Sequence, residues 1–158
     1  MREIRLAGKF SNLIMLVNDE DYELMSQWKW YGRPARGGLM YASRAEHRKN
    51  KWKTIYSHRV IVGITDELYH VDHTDGNGLN NQRDNLRLCT RSLNLGNRAK
   101  KSVGSSMFKG VCFNAKRKTW DVHCQKWIGR FKSEIEAAKA YDEAAKKAYG
   151  SFAHLNFP

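Results

Sequence analysis

A polar stretch of thirty residues, 69–98, constrains this chain more than any other feature. A short apolar run ends in the pair Asp72-His73 and is followed by a loop too rich in Gly and Asn to form a core. The segment Asp-Asn-Leu-Arg-Leu then predicts a second strand, after which come Asn94 and Asn97. A carboxylate, an imidazole and several carboxamides among arginines indicate a metal-dependent site for phosphodiester hydrolysis.

These residue types match the tasks of such a reaction. His73 suits the general base, because its unperturbed pKa lies near neutral pH. Asn85, 12 residues later, is expected to orient His73 if two short strands pair across the loop. Asp72 is a hard oxygen ligand for a divalent ion, and Asn94, 21 residues after His73, can supply a second oxygen from a following helix, with Asn97 as its rival. We expect one such ion, Mg²⁺ or alternatively Mn²⁺, because Mg²⁺ takes few protein ligands and keeps water.

The charge balance favours an anionic partner. The formal net charge is +12 and the pI about 9.8, and nucleic acid is the commonest partner of a soluble basic protein. A merely solvated basic surface is the alternative. The residues predicted to contact DNA are Arg83, Arg87, Arg91, Arg98, Lys100, Lys101, Lys109, Lys116, Arg117, Lys118, Gln125 and Arg130.

The cysteines and the apolar runs exclude several other classes. Cys89, Cys112 and Cys124 form no Cys-x-x-Cys pair, so we expect no structural zinc. Their odd number argues against a disulfide framework and fits a reducing compartment. The start of the chain lacks the apolar stretch of a signal peptide, and no apolar run is long enough to span a membrane. We therefore expect a cytoplasmic protein without membrane association.

Before the motif, the pattern predicts a small β-rich region with short helices. A helix is predicted at 19–26 with Asn18 as its cap, and another at 57–63 with Ser57 as cap and Gly63 as terminator. His58 is either a site or phosphate-contacting residue or a hydrogen-bonded structural one. The strand candidates are residues 4–6, 13–17, 28–31, 40–44 and 52–57, with a turn at 32–38.

After the motif, the last third predicts three strands and one helix. The strands are 108–113, 119–124 and 127–131, and the helix begins at the capping box Ser133–Glu136 and ends at Gly150. Its predicted inner stripe consists of Ala138, Tyr141, Ala145 and Ala148, and its outer pairs are Asp142–Lys146 and Glu143–Lys147.

Residues 71–94, Val-Asp-His…Asp-Asn-Leu-Arg…Asn, resemble the HNH motif of ββα-metal nucleases, and most of all that of phage-type HNH homing endonucleases with Asn at the third motif position. The resemblance implies a strand–loop–strand–helix fold around one divalent metal. By position it implies Asp72 and Asn94 as metal ligands, His73 as general base and Asn85 as the residue that orients it. It also implies a phage- or prokaryote-encoded protein.

The C-terminal part resembles an AP2/ERF-type DNA-binding domain in Phe108-Lys109-Gly110-Val111, Ile128-Gly129-Arg130-Phe131 and Ala137-Ala138-Lys139-Ala140-Tyr141-Asp142. In that family the sheet enters the major groove, so the implied partner is double-stranded DNA. The predicted fold class is α+β: an N-terminal β-rich region and HNH nuclease domain (1–99), a basic linker (100–106), and a three-stranded antiparallel sheet plus one helix of AP2-like type (107–158).

The sequence therefore predicts a metal-dependent DNA endonuclease of the homing type. The alternative is a sequence-specific DNA-binding regulator with a catalytically degenerate HNH unit, and a third possibility is an RNA-directed or nonspecific nuclease. The presence of all four expected site residues favours the enzyme. A monomer would be expected to nick one strand and a homodimer to cut both, and the sequence leaves these two states open.

Overall fold

The computed structural model describes residues 1–97 and 104–158. Its contacts divide the chain into two compact units, Met1–Arg91 and Ser92–Pro158. The predicted α+β class is confirmed: the described residues form ten strands in four small sheets and four α-helices. None of the helices in these residues is long and apolar enough to cross a membrane. The predicted domain limits at 99, 106 and 107 stay predictions, and the limit at 99 and most of the predicted linker lie outside the described residues.

The first unit starts with a hairpin and a helix, as predicted. Strand β1 (Arg2–Arg5) pairs antiparallel with β2 (Ile14–Val17), and α1 (Asp19–Ser26) follows. The predicted capping contact of Asn18 is wrong. Asn18 occupies the N-cap position without a capping hydrogen bond, and its Oδ1 accepts from the backbone N–H of Arg83 at 2.7 Å instead.

A three-stranded antiparallel sheet comes next, in the order β3 (Tyr31–Pro34), β4 (Met40–Arg48), β5 (Lys51–Tyr56). The predicted strand at 28–31 is largely wrong, because Trp30 turns into the core before β3 begins. Trp30 is fully buried, and its indole Nε1 donates to the Met25 carbonyl at 2.8 Å. β3 lies at the edge of the sheet, where Pro34 is tolerated.

Helix α2 (Ser57–Val62) packs against β4 and β5 and leads into the hairpin of β6 (Tyr69–His73) and β7 (Leu86–Thr90). Ser57 is the first helical residue and not the cap, which is Tyr56. Gly63 ends the helix at φ 71°, as predicted. The buried apolar core of this unit consists of Leu6, Met15, Val17, Met25, Trp30, Ala42, Ile61 and Leu79.

Helix α3 (Arg91–Gly96) follows β7 directly, and the division between the units falls after its first residue. The second unit continues with β8 (Val111–Asn114), β9 (Thr119–Cys124) and β10 (Lys126–Phe131), an antiparallel sheet in the order β10-β9-β8, and with α4 (Glu134–Tyr149). This arrangement of three strands and one helix confirms the predicted fold of the last third.

Small residues let α4 lie close to its sheet. Three alanines of α4 are fully buried on its inner face: Ala137, Ala138 and Ala145. Ala148, which was predicted to face inward, is exposed. The capping role of Ser133 is confirmed, since its Oγ accepts from the N–H of Glu136 at 3.5 Å.

The predicted outer pair of Asp142 with Lys146 is wrong. The Asp142 carboxylate is buried and accepts from the backbone N–H groups of Asn156 at 2.8 Å and Phe157 at 2.9 Å. It therefore ties the C-terminal tail to α4. Lys146 pairs with Glu143 at 3.3 Å instead.

Candidate active site

The hairpin of β6 and β7 carries the motif in a fixed register. Asp72 stands opposite Arg87, and His73, the last residue of β6, stands opposite Leu86. Since neighbouring residues of a strand point to opposite faces, the side chains of Asp72 and His73 leave the hairpin on different sides. Both are buried, at 6% and 5% exposure.

The long loop between these strands is organised by Asn85. Its Nδ2 donates to Asp75 Oδ1 at 2.9 Å and to the Asn80 carbonyl at 2.8 Å, and its Oδ1 accepts from the N–H of Asp75 at 3.0 Å. These contacts hold the Asn85 amide in the loop, and the orientation of His73 by Asn85 stays a prediction. Asn85 fixes the shape of the segment that begins directly after His73.

Asp75 gathers the other polar groups of the loop. Its carboxylate accepts from the N–H of Asn77 and from Nδ2 of Asn80, each at 2.8 Å. Burial alone would raise the pKa of Asp75, but the hydrogen bonds from Asn80, Asn77 and Asn85 lower it overall. The ionised carboxylate thus stabilises the loop conformation at neutral pH.

The loop is also attached to the core of the first unit. The N–H of Leu16 on β2 donates to the Leu79 carbonyl at 2.9 Å, and the Leu16 carbonyl accepts from the N–H of Asn81 at 2.8 Å. Gly78 passes so close to β4 that a Cβ there would lie 2.5 Å from both the Met40 carbonyl oxygen and the Tyr41 ring. The loop is therefore held in place from two directions.

His73 is oriented by Asn81, a residue that the sequence analysis missed. The Nε2 of His73 lies 3.4 Å from Asn81 Oδ1, and Asn81 is fully buried. Because Asn81 Nδ2 donates to the Leu79 carbonyl at 3.3 Å, its Oδ1 faces the imidazole and accepts from it. This contact favours the tautomer in which Nε2 carries the proton.

The environment of His73 keeps it neutral. Burial lowers the pKa of His73, and this outweighs the opposite effects of the Asn81 hydrogen bond and of the carboxylates of Asp75 and Asp72. A neutral imidazole at physiological pH can accept a proton, as a general base must. No spacing rule in the sequence distinguishes Asn81 from the other asparagines of the loop, and only its burial reveals its role.

Asp72 carries the buried carboxylate beside the base. Its Oδ2 accepts from Nη2 of Arg87 across the hairpin. Within residues 1–97 and 104–158, no three His, Cys, Asp or Glu side chains come together as a metal-binding group. A single carboxylate supplemented by amide oxygens and water fits a hard ion such as Mg²⁺ better than zinc.

The positions of Asn94 and Asn97 are set by helix α3. Asn94 lies within the helix, and the N–H of Asn97 donates to the Leu93 carbonyl at 3.3 Å just beyond its end. Both residues belong to the second unit. Their part in a site with Asp72 therefore stays a prediction.

Some predicted DNA-contacting residues are engaged in contacts within the protein. Arg83 pairs with Asp21 and Glu20 at 2.7 Å, and Arg87 pairs with Asp72. In the second unit, Lys109 is half-buried and its Nζ donates to the Gly96 carbonyl, Arg130 pairs with Asp121, and Gln125 donates to Ser92.

Other residues of that set lie on the surface. Arg91, Lys116, Arg117 and Lys118 are exposed. The remaining three, Arg98, Lys100 and Lys101, lie outside the described residues. The exposed hairpin turn 115–118 is thus the best-placed basic segment of the set for phosphate contacts.

Comparisons with known proteins agree with this geometry. Residues 56–95, which include α2, the β6–β7 hairpin and most of α3, match the sequence model of the family described as HNH endonuclease. A viral relative from Acanthamoeba polyphaga mimivirus, named uncharacterized HNH endonuclease L560, is 27% identical over 151 residues, which are 96% of this chain and 79% of the relative. Residues 56–95 therefore form an HNH endonuclease unit, and the assignment of the chain to the nucleases is confirmed.

A second similarity is short. The dehydration-responsive element-binding proteins 2A and 2C of Arabidopsis thaliana are each 62% identical over 32 residues, which are 20% of this chain but only 10% and 9% of those relatives. This similarity supports the AP2/ERF-type resemblance. No solved structure matches the chain.

Proposed function

We propose that this nuclease is a metal-dependent DNA endonuclease of the homing type, with His73 as general base. The observation that carries the proposal is the buried pair of Asp72 and His73, in which the imidazole is neutral and its Nε2 is directed to Asn81. In this proposal Nε2 carries the proton and Nδ1 is the proton acceptor.

The reaction follows from these roles. Nδ1 of His73 takes a proton from a water molecule, the water oxygen attacks the phosphorus, and the bond from phosphorus to the 3′-oxygen breaks. Asn81 holds the imidazole while its charge changes from neutral to positive. Asp72 and Asn94 would hold the divalent metal, which supplies charge stabilisation at the phosphate and at the leaving oxygen when bound. Asn85 keeps the loop after His73 in shape.

Double-stranded DNA is the proposed substrate, recognised through the second unit. The AP2/ERF-type resemblance and the exposed basic turn with Lys116, Arg117 and Lys118 support this assignment. The DNA target would then be selected by a module separate from the HNH unit. We therefore expect cleavage at a long, preferred DNA sequence. Mg²⁺ is the proposed ion.

The proposal is tested with supercoiled plasmid DNA in Mg²⁺, in Mn²⁺ or in EDTA, with nicked and linear products separated. Wild-type protein should cleave with either metal and not in EDTA. The variant His73→Ala should lose about 10²- to 10⁴-fold in rate, the usual contribution of a general base, while it still binds DNA. Its control is His47→Ala, which removes an exposed imidazole from the β4–β5 hairpin. Undiminished cleavage by His73→Ala would exclude His73 as the base.

A further inference from the structure

One buried histidine of the described residues lies outside the HNH motif and carries a ring nitrogen without a hydrogen-bond partner. His58, the second residue of α2, is 8% exposed, and its Nδ1 is buried without a donor or acceptor. An unsatisfied buried polar atom is unfavourable for folding.

The ring of His58 lies among three others. It stacks on Tyr56 with centroids 5.4 Å apart and planes 19° apart, and it contacts Tyr41 at 5.5 Å. On its remaining side it meets the ring of His73 at 5.2 Å and 89°, a perpendicular contact. Tyr41 also contacts His73 directly, at 5.7 Å. His58 and Tyr41 thus enclose the imidazole of His73.

These contacts restrain the ring of His73 in addition to the contact of its Nε2 with Asn81 at 3.4 Å. The torsion that rotates an imidazole about its Cβ–Cγ bond is broad, so ring contacts help to set the orientation of the ring plane. Perpendicular aromatic contacts favour one relative orientation of the two rings.

His58 is suited to this place because it stays uncharged. Burial, together with the smaller electrostatic effects of the nearby His73 and Arg59, lowers the pKa of His58 to about 3. A second imidazolium beside His73 would oppose the positive charge that the base acquires. An uncharged ring at that distance does not.

We propose that His58 is a positioning residue for His73: its ring, held by Tyr41 and Tyr56, fixes the plane of the His73 imidazole so that Nε2 stays on Asn81. The role of His73 to which this refers rests on the proposed function. His58 is 8% exposed and packs against these three rings, so its proposed role is exerted through His73.

The test separates an aromatic ring from mere volume at position 58. His58→Phe keeps a ring, whereas His58→Leu fills similar space without one. Each variant is compared with wild type by the single-turnover rate on supercoiled plasmid DNA with Mg²⁺, by plasmid affinity in EDTA, and by ¹⁵N NMR of the His73 imidazole. His47→Leu, on an exposed hairpin, is the matched control.

His58→Leu should slow cleavage about 10- to 100-fold with unchanged affinity, since small displacements of a reacting group cost this much. Its His73 ring signals should broaden or average as the ring samples other orientations. His58→Phe should retain the wild-type signals and most of the rate. Melting curves of all variants establish that they are folded.

Two outcomes would overturn the inference: wild-type His73 signals in His58→Leu, or signals in His58→Phe as perturbed as those of the leucine variant. The NMR measurement needs no cleavage. If wild-type protein failed to cleave with metal while the His73 signals still depended on position 58, the proposed function would be wrong and the positioning role would remain.

Discussion

Asp72, His73 and Asn85 of the first unit are each less than a tenth exposed, whereas Lys116, Arg117 and Lys118 of the second unit lie on the surface. The first group is surrounded by partners: an arginine at Asp72, an asparagine at His73, and the loop backbone at Asn85. The basic turn of the second unit is held mainly by Asn114, which accepts from the Arg117 N–H at 3.2 Å.

The difference fits the two tasks proposed for these residues. Proton transfer requires a base in a fixed position, with a protonation state set by its surroundings. Attraction to phosphate requires charge that can reach a flexible backbone, and it works through exposed lysines and arginines. Substitutions should therefore affect folding strongly in the HNH loop and weakly in the basic turn, and paired variants at matched residues can test this contrast.

The largest effect is expected for Asn85→Ala. It removes three hydrogen bonds and leaves groups of Asp75 and Asn80 unsatisfied in a partly buried loop. At about 1 kcal/mol or more for each bond, the free energy of unfolding of the first unit should fall by about 3 kcal/mol. Denaturant titration measures this.

The matched residue in the other unit is Asn114, which donates to Asp121 at 3.0 Å and accepts from Arg117 in a more exposed turn. Asn114→Ala should cost about 1 kcal/mol, because water can take the place of the missing side chain. Equal destabilisation in the two variants would mean that the HNH loop is no more dependent on its polar contacts than the basic turn.

Much of the fold was predictable because its signals are local. The period of two in the strands, Gly63 at a helix end, and the capping box at Ser133 depend on near neighbours in the chain. Two of the errors involve distant partners. Asn18 contacts Arg83 instead of its own helix, and Asp142 holds the tail at residues 156 and 157, neither of which a local pattern shows.

The candidate site divides in the same way. The proposed roles of Asp72 and His73 come from their chemistry and spacing, and both side chains are buried in the β6–β7 hairpin. The partners of His73 could not be predicted, because Asn81 comes from the loop and His58 and Tyr41 come from other elements. A sequence motif identifies reacting groups better than the residues that hold them.

A smaller effect is expected from Gly78→Ala. The added Cβ would meet the Met40 carbonyl and the Tyr41 ring at 2.5 Å, and since one of these is backbone, the loop must shift. Overpacking of this kind costs about 1–3 kcal/mol, and cleavage should fall with it because Tyr41 contacts His73. Melting curves and plasmid nicking report the two effects.

Gly129→Ala in the second unit is the control. Its Cβ would come no closer than 3.4 Å, to the ring of Phe131, which is ordinary van der Waals contact. This variant should retain nearly the stability and cleavage rate of wild type. If Gly78→Ala were equally mild, the loop would not be packed against Tyr41 as tightly as the structure indicates.

The free energy of unfolding should depend on pH because the imidazole of His58 is buried. Its ring faces Tyr41, Tyr56 and His73, and its pKa in the folded state is about 3, below the ordinary value of 6.5. The unfolded chain then binds a proton below pH 6.5 that the folded chain does not. The contribution of His58 should lower the free energy of unfolding by about 1.4 kcal/mol for each pH unit as the pH drops from 6 to 4.

Denaturant titrations of wild type and His58→Phe across this range isolate the contribution of His58. The phenylalanine variant should lose stability more gradually, with the two curves parallel above pH 7, where the imidazole is neutral in both states. Parallel curves down to pH 4 would contradict a buried, uncharged imidazole at this position.

The smallest effect on folding is expected from the basic turn. The triple change of Lys116→Gln, Arg117→Gln and Lys118→Asn removes three exposed charges, and Asn tolerates the positive φ of 54° at position 118. Stability should stay nearly constant, whereas the salt dependence of DNA affinity should weaken by about one unit of slope for each phosphate that the turn no longer neutralises.

The control removes the same charge from the same unit at Lys139, Lys146 and Lys147, which are exposed on α4. If the turn contacts DNA, only its own variant should show a strongly reduced salt-dependent affinity, and the single-turnover rate at saturating protein should be unchanged in both. Equal reductions of DNA affinity in the two triple variants would indicate that DNA is attracted by the net charge of the unit. The basic turn would then differ from the HNH loop only in its exposure.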